Sequence, residues 1–350
     1  MITARVLAIA GGGGANNDTQ GGAGGAGGFR DVSGVNLSNF SHYDIVVGKG
    51  VSANGNGENS YIKKQEDAII ESPTYALTTP YDETIEEIVN VSSVSHSANE
   101  IWVKIVISNT DESDYDGAVV SINGVTLFNN RFNGTYYYNV KGLIEGDTNA
   151  TLKVRGLDAN PTVNFTFLAG YLMQVIGGGR GGQHDMDSDG DAGYGREGGS
   201  GGGGGGETGQ TSSTSGQGGE PVAGQGFRGG NGNGSDGDGG GGGGAGGAGS
   251  GPEGGDGEAS DITGSNVTYA GGGHARGGTA GAGQDQAGGG GNVPSGFGKD
   301  GLFIVRYTLA DVTHSYTGGV ITNVGGDRIH TFTSDGVLAP LLPSVGALML

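Results

Sequence analysis

Short runs in which apolar and polar residues alternate occupy the middle of the chain. They are rich in Val, Ile, Thr and aromatic residues and lie at 101–107, 118–122, 125–128, 135–140, 150–155 and 163–168. Turn dipeptides such as Asn123-Gly124 and Asn133-Gly134 separate several of them, and such dipeptides favour tight hairpins. About six or seven strands at this spacing predict a β-sandwich over residues 66–174. Its expected core anchors are Trp102, Phe128, Phe165 and Phe167.

Glycine replaces this alternation on both sides of the middle segment. The chain holds 83 Gly and 8 Pro among 350 residues, whereas glycine usually makes up about 7% of a protein. Collagen needs a strict Gly-X-Y repeat rich in proline, and the uninterrupted glycine runs exclude it. Two interpretations remain: a flexible glycine linker, or packed helices of the polyproline II type whose amides pair with neighbouring helices.

We expect the packed arrangement. Since ordering glycine costs about as much free energy as its hydrogen bonds return, such a bundle needs support at its ends, and β-strands at 2–10 and 302–309 are expected to provide it. The expected fold class is mainly β: a glycine-rich polyglycine-II-type helix bundle framed by short β-strands, with an inserted β-sandwich domain. The expected domains are the first part of the glycine-rich domain at 1–65, the β-sandwich at 66–174, the second glycine-rich part at 175–308, and a C-terminal β segment with an apolar tail for oligomer or partner docking at 309–350.

Charge and composition exclude several classes of partner and site. Seventeen Lys and Arg against 37 Asp and Glu give a formal net charge of −20, which repels nucleic acid and anionic membranes. The absence of cysteine removes disulfides, thiol nucleophiles and thiolate metal ligands. The apolar stretches at either end are much shorter than the roughly 20 residues of a spanning helix. We therefore expect no nucleic-acid partner and no membrane insertion.

A set of motifs follows in a defined order along the two glycine-rich parts. They are VLAIAGGGGA at 6–15, GGAGGAGGF at 21–29, YDIVVGKG at 43–50, NGENSY at 56–61, GGGRGG at 177–182 and GFGKDGLFIVRY at 296–307. This order resembles the glycine-rich domain of bacteriophage tail-fibre and adhesin proteins. The resemblance covers about residues 4–65 and 175–307.

Two features depart from that family pattern. The segment 66–174 stands as an insertion after Asn59-Ser60. The sequence GGDRIHTFTSDGVL at 325–338 is similar to a strand that precedes the first glycine strand in the family, yet here it follows the closing strand. Either the chain is permuted or this strand completes a neighbouring subunit by β-augmentation.

The resemblance implies a non-enzymatic virion protein of the tail-fibre or adhesin type, without a cofactor. Its expected partners are other virion tail or fibre proteins, further copies of itself (a trimer is plausible) and a host cell-surface glycan or protein. Because glycine offers no side chain, segments between the glycine runs would carry specificity, as loops do on a rigid scaffold. These segments are 183–194, 211–222 and 260–269.

Candidate receptor-binding residues are polar or aromatic residues that interrupt the glycine runs. They are His184, Tyr194, Ser213, Ser215, Phe227, Tyr269 and His274. Aromatic side chains add contact area at low entropic cost, so those in this set either stack on sugar rings or plug the edges of the bundle. The histidines have no HxH, HxxxH or HExxH partner, which argues against zinc, and His330 is expected to be structural within a strand.

Carboxylates among the glycines are candidates for metal ligands or catalytic groups. Asp185, Asp187 and Asp189 match the first half of a calcium loop, but the twelfth position is Arg196, which removes the bidentate ligand. We therefore expect an acidic solvated turn and no metal site. Scattered carboxylates also lack the fixed separation that hydrolysis needs, and solubilising charge is the simpler interpretation; these residues are Asp236, Asp238, Asp256 and Asp261.

Two other function classes remain open. A connector or decoration protein of the virion would use the glycine bundle as a rigid spacer, with the apolar tail 338–350 docked into a partner. An ice-binding protein would need regular small apolar faces, whereas Asp, Gln and Arg interrupt these runs. The position of the chain in an intact particle separates the first from an adhesin, and thermal hysteresis tests the second.

Overall fold

The computed structural model shows a mainly β protein, which confirms the expected class. It describes residues 1–80, 83–95, 100–108, 118–131, 134–157, 161–184, 193–206, 216–233, 238–294, 296–309 and 315–341. The strands of this part of the chain form antiparallel sheets. No helix among these residues is long and apolar enough to cross a membrane.

The described elements are short, as expected for a chain punctuated by glycine. The strands are β1 Ile2–Ile9, β2 Phe29–Leu37, β3 Tyr43–Val46, β4 Ser60–Lys64, β5 Ile70–Glu71, β6 Tyr75–Thr78, β7 Thr84–Asn90, β8 Glu100–Ser108, β9 Ala118–Ile122, β10 Val125–Arg131, β11 Gly134–Asn139, β12 Asn149–Gly156, β13 Thr162–Tyr171, β14 Met173–Val175, β15 Glu258–Ser260, β16 Val267–Tyr269, β17 Leu302–Thr308, β18 Ser315–Thr317, β19 Val320–Val324, β20 Asp327–Phe332 and β21 Gly336–Leu341. The helices are the single turns α1 Ser92–Ser95 and α2 Lys141–Ile144.

The chain divides into two compact units. The first takes Met1–Glu66, Gln174–His184 and the described residues from 193 onward. The second takes Asp67–Met173, one residue shorter at each end than the segment expected to be inserted. The described glycine runs therefore belong to the first unit, which also contains the candidate residues His184, Tyr194, Phe227, Tyr269 and His274.

The second unit contains two sheets that share one core. One sheet has the strand order β10-β9-β12-β7, and the other has β11-β8-β13-β5 with β6 also on β13. Alternation directs Ile105, Val154 and Phe165 into the same buried cluster. Of the expected core anchors, Trp102, Phe165 and Phe167 are buried, while the side chain of Phe128 lies outside the described part of the structure.

The first unit holds the remaining sheets. A five-stranded sheet has the order β19-β20-β17-β1-β2, a second has β14-β4-β3-β21-β18, and β15 and β16 form a hairpin. In the first of these sheets, most residues of the inner strands β1 and β17 are buried. Leu7, Ile9, Ile304 and Ile329 pack in one cluster there, so the sheet is covered by other parts of the same unit.

The C-terminal strands pair with strands from the rest of the first unit. β20 adds to β17 with Val305 opposite His330, and β21 pairs with β3 through Leu338 and Tyr43. The strand similar to the family's first strand therefore lies beside the closing strand of its own subunit. The pairing of this strand with β17 is therefore satisfied within one chain. The last residues, 342–350, lie outside the described range.

Candidate functional site

Glycine runs extend directly from strands of the first unit. The run 10–16 follows β1, and the run 21–28 leads into β2. In the same way 176–182 follows β14, and 296–301 leads into β17. Each run thus has one end fixed in a hydrogen-bonded sheet. Residues 10 and 28 pair at this end, while residues 16 and 22 pair at the opposite end.

The amides of run 10–16 bond three neighbouring segments in rotation. Ala10, Gly13 and Asn16 donate to the carbonyl oxygens of 28, 25 and 22, at 2.9–3.0 Å. The next residues along, 11 and 14, donate to 58 and 55, and residues 12 and 15 donate to 299 and 296. The partner therefore changes with every residue and returns after three.

Run 21–28 repeats this pattern with other neighbours. Its residues 22, 25 and 28 donate to 182, 179 and 176, residues 23 and 26 donate to 240 and 243, and residues 24 and 27 donate to 291 and 288. All of its residues are buried. Buried amides need partners, and here they find them in adjacent runs instead of in a sheet ladder.

The spacing of the runs leaves no room for side chains at most glycines. A Cβ added to Gly13 would lie 2.2 Å from the oxygen of Gly179, and one added to Gly24 would lie 2.0 Å from the oxygen of Gly13. Alanine occurs where its methyl group has space. Ala15, Ala23 and Ala275 meet Val293 in a small buried cluster.

The ends of several runs converge at the end away from the strands, which we call the outer end and define by residues 17–20, 183–184, 193, 205–206, 216 and 232–233. The N–H of Gly206 donates to the oxygen of Gln20 at 2.9 Å. Gly205 donates to Gly193 at 2.8 Å and accepts from Gly216 at 3.2 Å. Gly232 in turn donates to Gly216 at 2.9 Å. Segments that are far apart in the sequence therefore leave the glycine runs side by side.

Of the seven candidate receptor residues, His184 and Tyr194 lie at or next to the outer end. The His184 side chain is fully buried, with Nδ1 3.5 Å from Oδ2 of Asp18, and Tyr194 is half-buried. Ser213 and Ser215 lie outside the described residues. The described residues on either side of them in sequence, Gly206 and Gly216, are part of the outer end.

Phe227 lies near the strands and not at the outer end. Its N–H donates to the oxygen of Gly244 at 3.0 Å, and its side chain is 46% exposed. It lines a groove of about 630 Å³ together with Phe29, Arg30 and Glu258. It is therefore accessible, but at a different place from the segments that the glycine runs present.

Tyr269 is a core residue. It is 6% exposed and packs with Ile9 and Phe29, and burial raises the pKa of its hydroxyl. Of the two roles left open for the aromatics, this burial favours packing over a receptor contact. A residue among glycines gives no periodicity from which this burial could be read.

His274 is half-buried beside the alanine cluster. Its Nδ1 lies 2.8 Å from the oxygen of Ala275, and its backbone N–H donates to the side chain of Asn292 at 3.0 Å. Its carbonyl oxygen accepts from Val293 at 2.9 Å. These contacts tie two neighbouring runs together, so His274 has a structural role whatever else it contacts.

Of the carboxylates considered as metal or catalytic groups, Asp256 and Asp261 each have a different partner. Asp185, Asp187 and Asp189 lie outside the described residues, and within the described ranges no group of three or more His, Asp or Glu could hold a metal ion. Asp261 pairs with Arg5 at 2.6 Å, and the Arg5 guanidinium lowers the pKa of Asp261. Asp256 accepts the N–H of Ala282 at 2.9 Å.

The polar turn 17–20 also belongs to the outer end, although its sequence was not predicted to take part in a site. Asp18 and Gln20 are set there by local bonds: Asp18 donates its N–H to the side chain of Asn16 at 2.8 Å, and Gln20 to the side chain of Asp18 at 3.1 Å. The signal was present, since Asn-Asn-Asp-Thr-Gln is the first polar interruption between glycine runs.

No protein-family model, curated protein or solved structure matches the chain.

Proposed function

We propose that the glycine runs are polyglycine helices of the polyproline II type, packed as a bundle. Such a helix has three residues per turn and no internal hydrogen bonds. The rotation of amide partners with a period of three in runs 10–16 and 21–28 supports this geometry. So does the close approach of backbones at Gly13 and Gly24, where any side chain would collide with a neighbouring carbonyl group.

We further propose that the protein is a bacteriophage virion component of the tail-fibre or adhesin type. The polar segments at the outer end would contact a host cell-surface glycan or protein. The observation that carries the proposal is the hydrogen-bonded convergence of run ends there, through Gln20, Gly193, Gly206 and Gly216. It brings together the described ends of glycine runs that border four polar interruptions of the sequence.

In this proposal, different parts of the chain provide mechanical support and recognition. Buried, fully paired backbones make a stiff support, whereas recognition requires side chains, which only the interruptions supply. The role is non-catalytic and needs no cofactor. Its setting is the virion, with other tail or fibre proteins and further copies of this chain as partners.

The test replaces the segment 207–215, which contains Ser213 and Ser215, by a Gly-Ser sequence of equal length. Labelled full-length protein is then titrated onto cells that the phage infects. We expect at least about tenfold weaker binding, as for the loss of an interaction of roughly 1.4 kcal/mol, with an unchanged melting temperature. A matched control replaces 109–117 in the second unit and keeps binding. Equal binding by both variants would overturn the attachment role of this segment.

A connector or decoration protein is the second candidate. The burial of Tyr269 and of the His184 side chain favours it, because these residues are then unavailable to a receptor. Under this role the bundle is a spacer between virion parts. Electron microscopy of virions labelled with an antibody to the chain distinguishes the two: label at the distal tip of the fibre supports attachment, and label at a proximal joint supports the connector.

A further inference from the structure

β19 is an exposed strand at the edge of its sheet. Its sheet partner within the described residues is β20, on one side only. All five of its residues, Val320–Val324, are exposed. The exposed fractions of Val320, Ile321 and Val324 are 67%, 40% and 36%. An apolar edge of this kind is a template for pairing with another chain.

The turn that joins β19 to β20 determines which backbone groups are free. Val324 lies opposite Asp327, and the two residues between them, Gly325 and Gly326, have positive φ angles of 59° and 90°. This is the geometry of a tight two-residue hairpin. In an antiparallel ladder the bonded side alternates along the strand, so Ile321 and Asn323 direct their N–H and C=O groups to the open edge.

Charge also marks this edge. Residues 315–326 contain no charged side chain, although the whole chain has a formal net charge of −20. Copies of so acidic a protein repel one another at most orientations, and an uncharged strand is where two of them approach at least cost. Exposed edges are usually protected by lysine, proline or an inward charge, and β19 has none of these.

The sequence of β19 complements itself in the antiparallel direction. With Thr322 opposite the partner's Thr322, Val320 faces the partner's Val324, and Ile321 faces the partner's Asn323. Both residues with free backbone groups, Ile321 and Asn323, then meet each other across the axis. This register forms about four main-chain hydrogen bonds and places valine against valine and threonine against threonine, which are favourable cross-strand pairs.

We propose that a second copy of this chain docks on β19, forming a two-fold dimer through a sheet that continues from one subunit into the other. The interface is isologous, and one short strand buries less than the roughly 1,200 Å² of stable interfaces. The dimer is therefore a weak one, populated at high local concentration as in a particle. This inference goes beyond the attachment role, and its test uses purified protein alone.

The first experiment exploits the absence of cysteine from the chain. In the proposed register Thr322 and the partner's Thr322 form a non-hydrogen-bonded pair with Cα atoms about 4.5 Å apart, within the disulfide range of about 4.4–6.8 Å. Oxidised Thr322→Cys protein is expected to become a covalent dimer. Val337→Cys, at a residue 38% exposed in β21, is the matched control and should stay monomeric.

The second experiment measures association without a cross-link. Sedimentation of the unmodified chain up to about millimolar concentration should show a monomer–dimer equilibrium. Thr322→Lys, which sets two like charges against each other, is expected to weaken association at least tenfold, while Val337→Lys leaves it unchanged. A chain that stays monomeric, or one that assembles equally well with Thr322→Lys and without a Thr322→Cys cross-link, would overturn the proposal.

Discussion

Tyr307 and His330 stack across β17 and β20, with ring centroids 5.7 Å apart and ring planes inclined by 17°. Nδ1 of His330 lies 2.8 Å from the oxygen of Gly318, so this nitrogen donates. Nε2 lies 3.2 Å from the hydroxyl oxygen of Tyr307, which itself accepts the N–H of Tyr316 at 2.8 Å. These contacts fit a neutral His330 imidazole that carries its proton on Nδ1. Its Nε2 then accepts a hydrogen bond from the Tyr307 hydroxyl group.

Stability should fall as the pH drops below about 6.5 because of His330. Burial, helped by the charge of Arg328, lowers the pKa of His330 in the folded chain, while the unfolded chain keeps a value of about 6.5. Below that pH the unfolded state binds more protons, so the free energy of unfolding decreases, by at most about 1.4 kcal/mol per pH unit. Urea unfolding between pH 7.5 and 5 measures this slope.

The His330→Gln variant isolates this contribution, because carboxylates begin to titrate at the lower end of the same range. Its slope between pH 7 and 5.5 should be flatter than that of the unmodified chain. His42→Gln, at an exposed residue, should leave the slope as it is. Equal slopes for all three proteins would show that His330 is protonated as readily in the fold as outside it.

Gly24→Ala should destabilise the first unit by at least about 1–3 kcal/mol, the usual cost of overpacking. The added methyl carbon would lie 2.0 Å from the carbonyl oxygen of Gly13, so backbone must move. Thermal unfolding followed by circular dichroism measures the loss. Gly247→Ala is the control, because its nearest new contact is at 3.4 Å, and it should change stability by less than about 1 kcal/mol. Two similar melting temperatures would contradict close packing at Gly24.

Arg5→Met should cost about 1–3 kcal/mol, the range for charge-assisted hydrogen bonds. Nε and Nη2 of Arg5 each lie 2.7 Å from an oxygen of Asp31, and the Arg5 and Asp31 side chains are 31% and 15% exposed. Lys49→Met breaks the pair with Asp300, whose side chains are about half exposed, and should cost less than about 1 kcal/mol. Chemical unfolding measures the free energy of unfolding of both variants. A larger decrease for Lys49→Met than for Arg5→Met would contradict the stronger contribution expected of the Arg5–Asp31 pair.

Amide hydrogen exchange should be slow in the glycine runs and fast at the outer-end turn. Gly201, Gly203 and Gly204 are buried and donate to residues of two neighbouring runs, so exchange requires the bundle to open. The N–H of Gln20 bonds only an exposed side chain and should exchange within the shortest labelling time. Random-coil exchange throughout 201–204 would leave the packed bundle without support.

The sequence predicts those features that depend on local alternation. Phe165 and Phe167 could be assigned to a core because period-two patterning places every second residue on one face. The pairing of β20 with β17 could not be assigned, since register between distant strands is decided by tertiary packing. The sequence left the role of Tyr269 open for a related reason: its glycine neighbours carry no hydrophobic pattern from which its burial in one cluster with Ile9 could be predicted.

The rotation of amide partners along run 10–16 limits how such a protein can change in length. Each successive N–H faces a different neighbour, and the first neighbour returns at the fourth residue. Deleting a single glycine would turn every later donor by a third of a revolution, toward a carbonyl group that belongs to another contact. Deleting three would preserve every assignment and shorten the arm by one step, so gains and losses within these runs should come in triplets.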